Sequence, residues 1–278
     1  MLKLMYITNR TDIALIAENA GVERIFIDME YIGKAERQGG MDTVQSRHTI
    51  EDIRAIRSVL TSSQLLVRCN PIHEGCEKYS SSKVEIDGII DAGADVVMLP
   101  FFKTVEEVET FVKLVNRRAK TMLLFETPES VELVDEILSI GGIDEVFIGL
   151  NDLSLGYGKK FMFELLSDGT VEKLCDKFKY KNIPYGFGGI AALGKGMLPS
   201  EYVIKEHYRL NSTCAILSRS FCNVDKVKDV EKVKEIFDND LKIIRDLEKQ
   251  CSAGKFDFEK NKLETKKLVE DIVKNLTK

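Results

Sequence analysis

Met122–Gly158 reads MLLFETPESVELVDEILSIGGIDEVFIGLNDLSLGYG, and the order of patterns within it decides the fold class. Two short apolar runs each close on an acid: LLFE ends at Glu126, and VFIGLND ends at Asp152. Between them Pro128–Leu138 has helical spacing, followed by the turn pair Gly141-Gly142. A buried strand, a helix and a second buried strand make the βαβ unit of a parallel sheet. Both acids then stand at the carboxyl ends of neighbouring strands, the edge where α/β folds place their chemistry. Neighbouring strands lie about 4.8 Å apart, so two such carboxylates can converge on one small hard cation.

The same alternation continues on both sides. Strands are expected at Lys3–Ile7, Arg24–Asp28, Gln64–Arg68, Asp95–Leu99, Thr121–Glu126, Glu145–Ile148, Pro184–Phe187 and Thr213–Leu217. Helices are expected between them at Thr11–Asn19, Thr49–Leu60, Lys83–Asp91, Thr104–Arg117, Pro128–Leu138, Phe161–Tyr180 and Ser200–His207. Thr104 followed by Glu107 has the spacing of a capping box. Eight strands alternating with helices favour a (β/α)8 TIM barrel over an open doubly wound sheet. No GxGxxG opens the first helix, which removes the dinucleotide fingerprint. Gly186, Gly188 and Gly189 fall at the seventh strand, where barrel loops often bind an anion, although tight turns need glycine in any case. Val224–Cys251 and Phe256–Leu276 add two helices, so residues 1–278 read as one barrel domain with 224–278 as a helical extension. The barrel needs only one of these. The other, with Leu263, Leu268, Ile272, Val273 and Leu276, either packs on a neighbouring subunit as a homo-oligomer contact or lies on its own barrel.

Composition narrows the partners. A formal charge of −5, no tryptophan and no aromatic-basic alternation argue against a nucleic-acid surface. No run of 18 apolar residues is present, so no membrane span is expected. Polar residues Asn9, Arg10 and Asp12 arrive too early for a signal peptide, and a cytoplasmic location is the expectation. The six cysteines form no CxxC pair and read as reduced thiols, with Cys69 and Cys214 as buried small hydrophobes.

In a barrel the strand ends form one rim. Strand two delivers Asp28 and Glu30, strand three Arg68 and Asn70, strand four Pro100, strand five Glu126 and strand six Asp152. Unpaired charges there would cost several kcal/mol each, ~3 or more. A divalent cation with an anionic substrate would balance them. The chemistry that fits is enolate formation from a small 2-keto acid: a hard cation takes carboxylate, substrate and water oxygens, and an arginine adds fixed positive charge. No strand end offers a Schiff-base lysine, although Lys103 lies just beyond strand four. Plainer roles exist for each residue. Asp152 suits a helix N-cap, Glu126 an exposed helix-start residue, and Arg68 a structural ion pair with Glu30.

These residues match a known pattern. The chain resembles the HpcH/HpaI aldolase and citrate lyase family over roughly Ile25–Phe221. The resemblance rests on IDME at Asp28–Glu30, LVRCNP around Arg68, DAGADVVMLP at Asp91–Pro100, FET at Glu126, and VDEILSIGGIDEVFIGLNDLSLGYG from Val134. It implies that Glu126 and Asp152 hold a divalent metal, Mg2+ foremost, with Mn2+ or Co2+ as alternatives. It implies that Arg68 contacts the keto acid or enolate, and that amides at Leu150 and Asn151 receive the substrate carboxylate. Asp28 and Glu30 then support the site from behind.

The departures from the family pattern bear on the second half of the reaction. The family histidine of D-x-E-H, assigned to proton transfer, is Tyr31 here, and tyrosine with an ordinary pKa near ~10 is a poor base at neutral pH. The citrate lyase branch has Lys and Arg after D-x-E-D, loosely echoed by Lys34 and Arg37. GPADLS becomes GLNDLS, and Phe101-Phe102 follow the strand-four proline. His48 in QSRHTIED and His73 in NPIHEG are candidates to replace the missing histidine, and the polar insert Gly33–Arg47 suits a loop over the rim. The expected activity is a metal-dependent carbon–carbon lyase or aldolase working through a pyruvate-type enolate. A citrate lyase-like enzyme on an acyl-CoA or phosphoenol substrate, and a non-catalytic assembly or regulatory paralogue, stay open as alternatives.

Overall fold

A computed structural model describes residues 1–34, 46–224 and 226–277. Eight parallel strands close into one barrel in chain order, β1 to β8. They are β1 Lys3–Ile7, β2 Arg24–Asp28, β3 Gln64–Arg68, β4 Val96–Leu99, β5 Lys120–Phe125, β6 Glu145–Ile148, β7 Tyr185–Ile190 and β8 Cys214–Leu217. The expected barrel is therefore present, with strand limits within three residues of those read from sequence.

Period-two alternation sorts every strand into an inward and an outward column. On β2, Ile25 and Ile27 face the helices, whereas Phe26 faces the barrel interior. The interior middle layer is Phe26, Leu66, Met98, Leu124 and Phe147, all buried. One step below it, Arg24 donates to both carboxylate oxygens of Glu145 at 2.9 Å, closing the floor. One step above it, the same parity points Asp28, Arg68 and Glu126 into the mouth. Register pairs Asp28 with Arg68, and Phe125 with Ile148, which sets Glu126 beside Gly149.

The helices follow from local signals. They are α1 Thr11–Asn19, α2 Ile50–Val59, α3 Ser82–Asp91, α4 Val105–Val115, α5 Pro128–Glu132, α6 Val134–Ile137, α7 Leu150–Gly156, α8 Glu164–Ser167, α9 Thr170–Tyr180, α10 Ser200–Arg209, α11 Val230–Ser252 and α12 Phe258–Leu276. The Thr104–Glu107 capping box is present at the start of α4. Two expected helices are split. Pro128–Leu138 breaks at Leu133 into α5 and α6, and Phe161–Tyr180 breaks at Gly169, whose φ of 84° interrupts the helix between α8 and α9. The C-terminal extension begins its helix at Val230 rather than Val224, capped by Asp229, which accepts from the amide of Glu231.

α11 lies between α1 and α10 and completes the outer ring, while α12 packs on α8 and α10 of its own chain. Val269, Thr265 and Asn261 form the buried face of α12, and Leu263 and Leu276 remain exposed. Cys69 and Cys214 are buried, all six cysteines are free thiols, and Cys76 is exposed. Among the described residues no helix is long and apolar enough to cross a membrane.

Candidate active site

The barrel mouth opens into a cavity of about 740 Å³ whose wall includes Asp28, Lys34, His48, Arg68, Glu126, Leu150, Asn151 and Asp152. The structure thus gathers most of the residues singled out from sequence. Arg68 meets Asp28 side-on, Nε to Oδ1 and Nη2 to Oδ2, both at 2.8 Å. Its Nη1 lies 3.3 Å from Glu30 Oε2, and its guanidinium sits 5.7 Å from the Phe26 ring centre. Lys34, buried, donates to Asp28 Oδ2 at 2.8 Å and lies 3.6 Å from Glu30. Burial opposes ionisation of Asp28, but the Arg68 guanidinium and the Lys34 ammonium outweigh it and hold the carboxyl well below the usual carboxylate range. Burial likewise disfavours charge on Arg68, and Asp28 with Glu30 more than restores it. The pairing foreseen with Glu30 is therefore real, and Asp28 is its stronger half.

Glu126 and Asp152 occupy the opposite wall. Glu126 is buried just past β5, not an exposed helix-start residue, and its Oε1 accepts from the Phe101 amide at 3.0 Å. Phe101 reaches that position with φ of 48°, a left-handed conformation that costs a non-glycine residue about 1–2 kcal/mol. Gly149 explains the close approach on the other side, because a Cβ there would fall 2.8 Å from Glu126 Oε2. Asp152 is buried in the third position of α7, whose N-cap is Gly149, so the capping role does not apply to it. Leu150 and Asn151 open the first turn of α7, where amides have no carbonyl partner within the helix.

The three candidates for the missing proton-transfer residue separate. His48 lines the cavity, and its Nδ1 accepts the Asp28 amide at 3.0 Å. That bond places the ring proton on Nε2. Burial pushes the His48 pKa down, against partial opposition from Asp28 and Asp52, so the ring is neutral at pH 7. In this arrangement His48 is a hydrogen-bond donor to the cavity rather than a base. Tyr31 is not in the cavity wall. Its half-exposed ring edges onto Tyr79 at 6.3 Å, and its amide donates to Asn70. His73 is tied within its own loop, Nδ1 to Pro71 O and Nε2 to Ser80 O, both at 2.7 Å. Lys103 pairs with Glu129 at 3.0 Å on a smaller adjoining cavity that shares Glu126 and Asp152. Arg37 and most of the Gly33–Arg47 insert lie outside the described residues.

Motif reading named Lys34 only as a loose echo of the citrate lyase branch, without a place in the site, and passed over the Phe101 amide. The signal for Lys34 was present: two acids at Asp28 and Glu30 beside one arginine call for a second cation nearby. Among the described residues no cluster of three or more His, Cys, Asp or Glu side chains converges as a ready metal cage. The donor chemistry here is a carboxylate pair, which suits a hard cation that keeps water and substrate oxygens in its shell.

Residues 4–163 match the sequence family described as HpcH/HpaI aldolase/citrate lyase, and the chain belongs to that family, one of aldolases and lyases. Solved structures agree on the fold. An HpcH/HpaI aldolase from Desulfitobacterium hafniense DCB-2 superposes with a TM-score of 0.61 at 18% identity, covering 84% of this chain and 93% of that one. An HpcH/HpaI aldolase/citrate lyase family protein from Burkholderia cenocepacia J2315 gives 0.60 at 14% identity, covering 84% and 95%. The citrate synthase SbnG gives 0.57 at 15% identity, covering 84% and 94%. No curated protein sequence matches the chain.

Proposed function

We propose that the protein is a metal-dependent carbon–carbon lyase or aldolase that cleaves a hydroxy-keto acid to a pyruvate-type enolate and an aldehyde, or runs the reverse. The observation that carries this reading is the charge pattern of the rim. Asp28, Glu30, Glu126 and Asp152 face Arg68 and Lys34, a formal excess of two negative charges, with His48 neutral. One divalent cation matches that excess. Glu126 and Asp152 would hold it, with Mg2+ as the first choice and Mn2+ or Co2+ as alternatives, and when bound it supplies a Lewis acid that polarises the keto group.

The chain's own residues do the rest. Arg68, fixed by Asp28 and Glu30, presents positive charge that needs no reorganisation as an enolate develops. The first amides of α7, at Leu150 and Asn151, would receive the substrate carboxylate. His48 Nε2–H would donate to a substrate oxygen, leaving the imidazole neutral throughout. The middle layer of Phe26, Leu66, Leu124 and Phe147 shuts water out from below. A non-catalytic scaffold has no physical reason to bury four carboxylates and two cations around a cavity. A cytoplasmic location, and assembly as a homo-oligomer through the C-terminal helices, accompany this reading as proposals.

The test is exchange of the methyl protons of pyruvate with deuterium in the presence of Mg2+, Mn2+ or Co2+. Exchange is expected with the wild-type chain and is lost in Asp152→Asn and Glu126→Gln. Absence of exchange with every one of these metals would overturn the enolate reading.

A further inference from the structure

The turn that carries Glu30 and Lys34 is gripped from the side by one buried amide. β3 delivers Arg68 and, two residues on, Asn70, which is buried. Asn70 Oδ1 accepts from the amides of both Tyr31 and Ile32 at 2.9 Å. Backbone amides can only donate, so the side-chain carbonyl must face the turn and the Nδ2 group must face away from it. There Nδ2 donates to Glu85 Oε1 at 2.8 Å, and the Asn70 backbone amide donates to the same oxygen at 3.1 Å. Glu85 stands in the first turn of α3, buried, and among the described residues its Oε2 has no hydrogen-bond partner. Burial raises its pKa, with the Asn70 donors opposing. A buried carboxyl with one oxygen unserved is unfavourable, and the bonds that Glu85 does make both go to Asn70.

We propose that Asn70, aimed by Glu85, is a positioning residue for Arg68. It acts through the turn: gripping Tyr31 and Ile32 sets Glu30 on one side and Lys34 on the other. Glu30 Oε2 lies 3.3 Å from Arg68 Nη1, and Lys34 Nζ holds Asp28 Oδ2, the oxygen that also takes Arg68 Nη2. The Lys34 amide closes the turn on Tyr31 O at 3.3 Å, so the gripped segment is short and has little slack. The inference rests on the enolate reading for what Arg68 does, and on these hydrogen bonds for the positioning itself. Fixed charge aids an enolate only while its geometry holds, and a shift of about 1 Å can cost on the order of 10²-fold in rate. Loss of the grip therefore lowers turnover, whereas Glu126 and Asp152, at the end of β5 and in α7, keep their affinity for a metal ion.

The grip is read without substrate or metal, by NMR on the full chain. The two readouts are hydrogen exchange of the Tyr31 and Ile32 amides and the nitrogen resonance of the Lys34 ammonium, assigned by its loss in Lys34→Arg. Asn70→Ala and Glu85→Leu are expected to speed exchange of both amides about tenfold or more and to shift the Lys34 resonance. Glu85→Gln keeps an acceptor for both Asn70 donors and is expected to match the wild-type chain in both readouts. Asn261→Ala, which loosens the α10–α12 contact, controls for general loss of stability and is expected to leave both unchanged. In deuterium exchange of pyruvate, Asn70→Ala should lower kcat about tenfold or more with the affinity for Mn2+ unchanged. The proposal is overturned if Asn70→Ala leaves the amides and the Lys34 resonance as in wild type, or if Asn261→Ala moves them as far. It is overturned equally if Asn70→Ala frees the amides yet exchanges pyruvate at the wild-type rate. Absence of pyruvate exchange in the wild-type chain would sink the enolate reading alone, and the NMR readouts would still decide the positioning.

Discussion

Asp28 organises the site more than any other residue. Its two oxygens hold Arg68 and Lys34, its amide fixes the His48 tautomer, and all of this happens in a nearly sealed position. Asp28→Asn removes the counter-charge of two buried cations and is expected to cost about 3–5 kcal/mol in urea unfolding. Because the folded pKa lies below the ordinary value, the Asp28 contribution is complete above pH 3.8 and fades as pH falls below it. His48 gives the second expectation at this scale. Its pKa is lowered by burial, so the neutral donor persists below the ordinary 6.5, and the acid limb of the pH–rate profile should fall below that value. His48→Ala should abolish that limb and lower turnover about 10²-fold or more. Sequence reading found Asp28, Arg68, Glu126 and Asp152 because their place at or just beyond the strand ends and the family motifs both point at them. It had no means to see the His48 tautomer, which depends on one amide reaching across from β2, or the backbone of Phe101, whose left-handed φ has no residue-type signature.

At the level of elements, strand positions were legible because fully buried parallel strands leave continuous apolar runs. Helix limits were less so, since the breaks at Leu133 and Gly169 sit inside sequences that keep helical spacing. The floor of the barrel gives a clean energetic expectation. Arg24 and Glu145 are both buried, so Arg24→Met alone should destabilise by about 3–5 kcal/mol, whereas Arg24→Met with Glu145→Leu should be close to neutral. A double-mutant cycle by chemical denaturation reads this directly. Between α1 and β3, Glu18 collects the amides of Thr61, Ser62 and Ser63. Burial opposes its charge, yet these donors prevail and hold its pKa at about 2. Glu18→Gln should therefore lose about 1–3 kcal/mol at neutral pH, with the difference from wild type shrinking as pH falls from 4.5 toward 2.

For the whole molecule, the C-terminal extension divides its labour: α11 closes the ring, and α12 braces α8 and α10. Asn261 donates to Glu206 at 2.8 Å inside that contact, so Asn261→Ala should lower thermal stability without touching the mouth. The two ends of the barrel differ in kind. The floor is plugged by an ion pair and a layer of aromatic and aliphatic side chains, while the mouth alone is open. A chamber with one door imposes a queue. On the proposed enolate reading, a keto acid bound against the plug would enter first in synthesis and leave last in cleavage, with its partner passing above it. In cleavage, pyruvate should accordingly inhibit competitively against the hydroxy-keto acid and the aldehyde non-competitively, an order of traffic set by the architecture of the well.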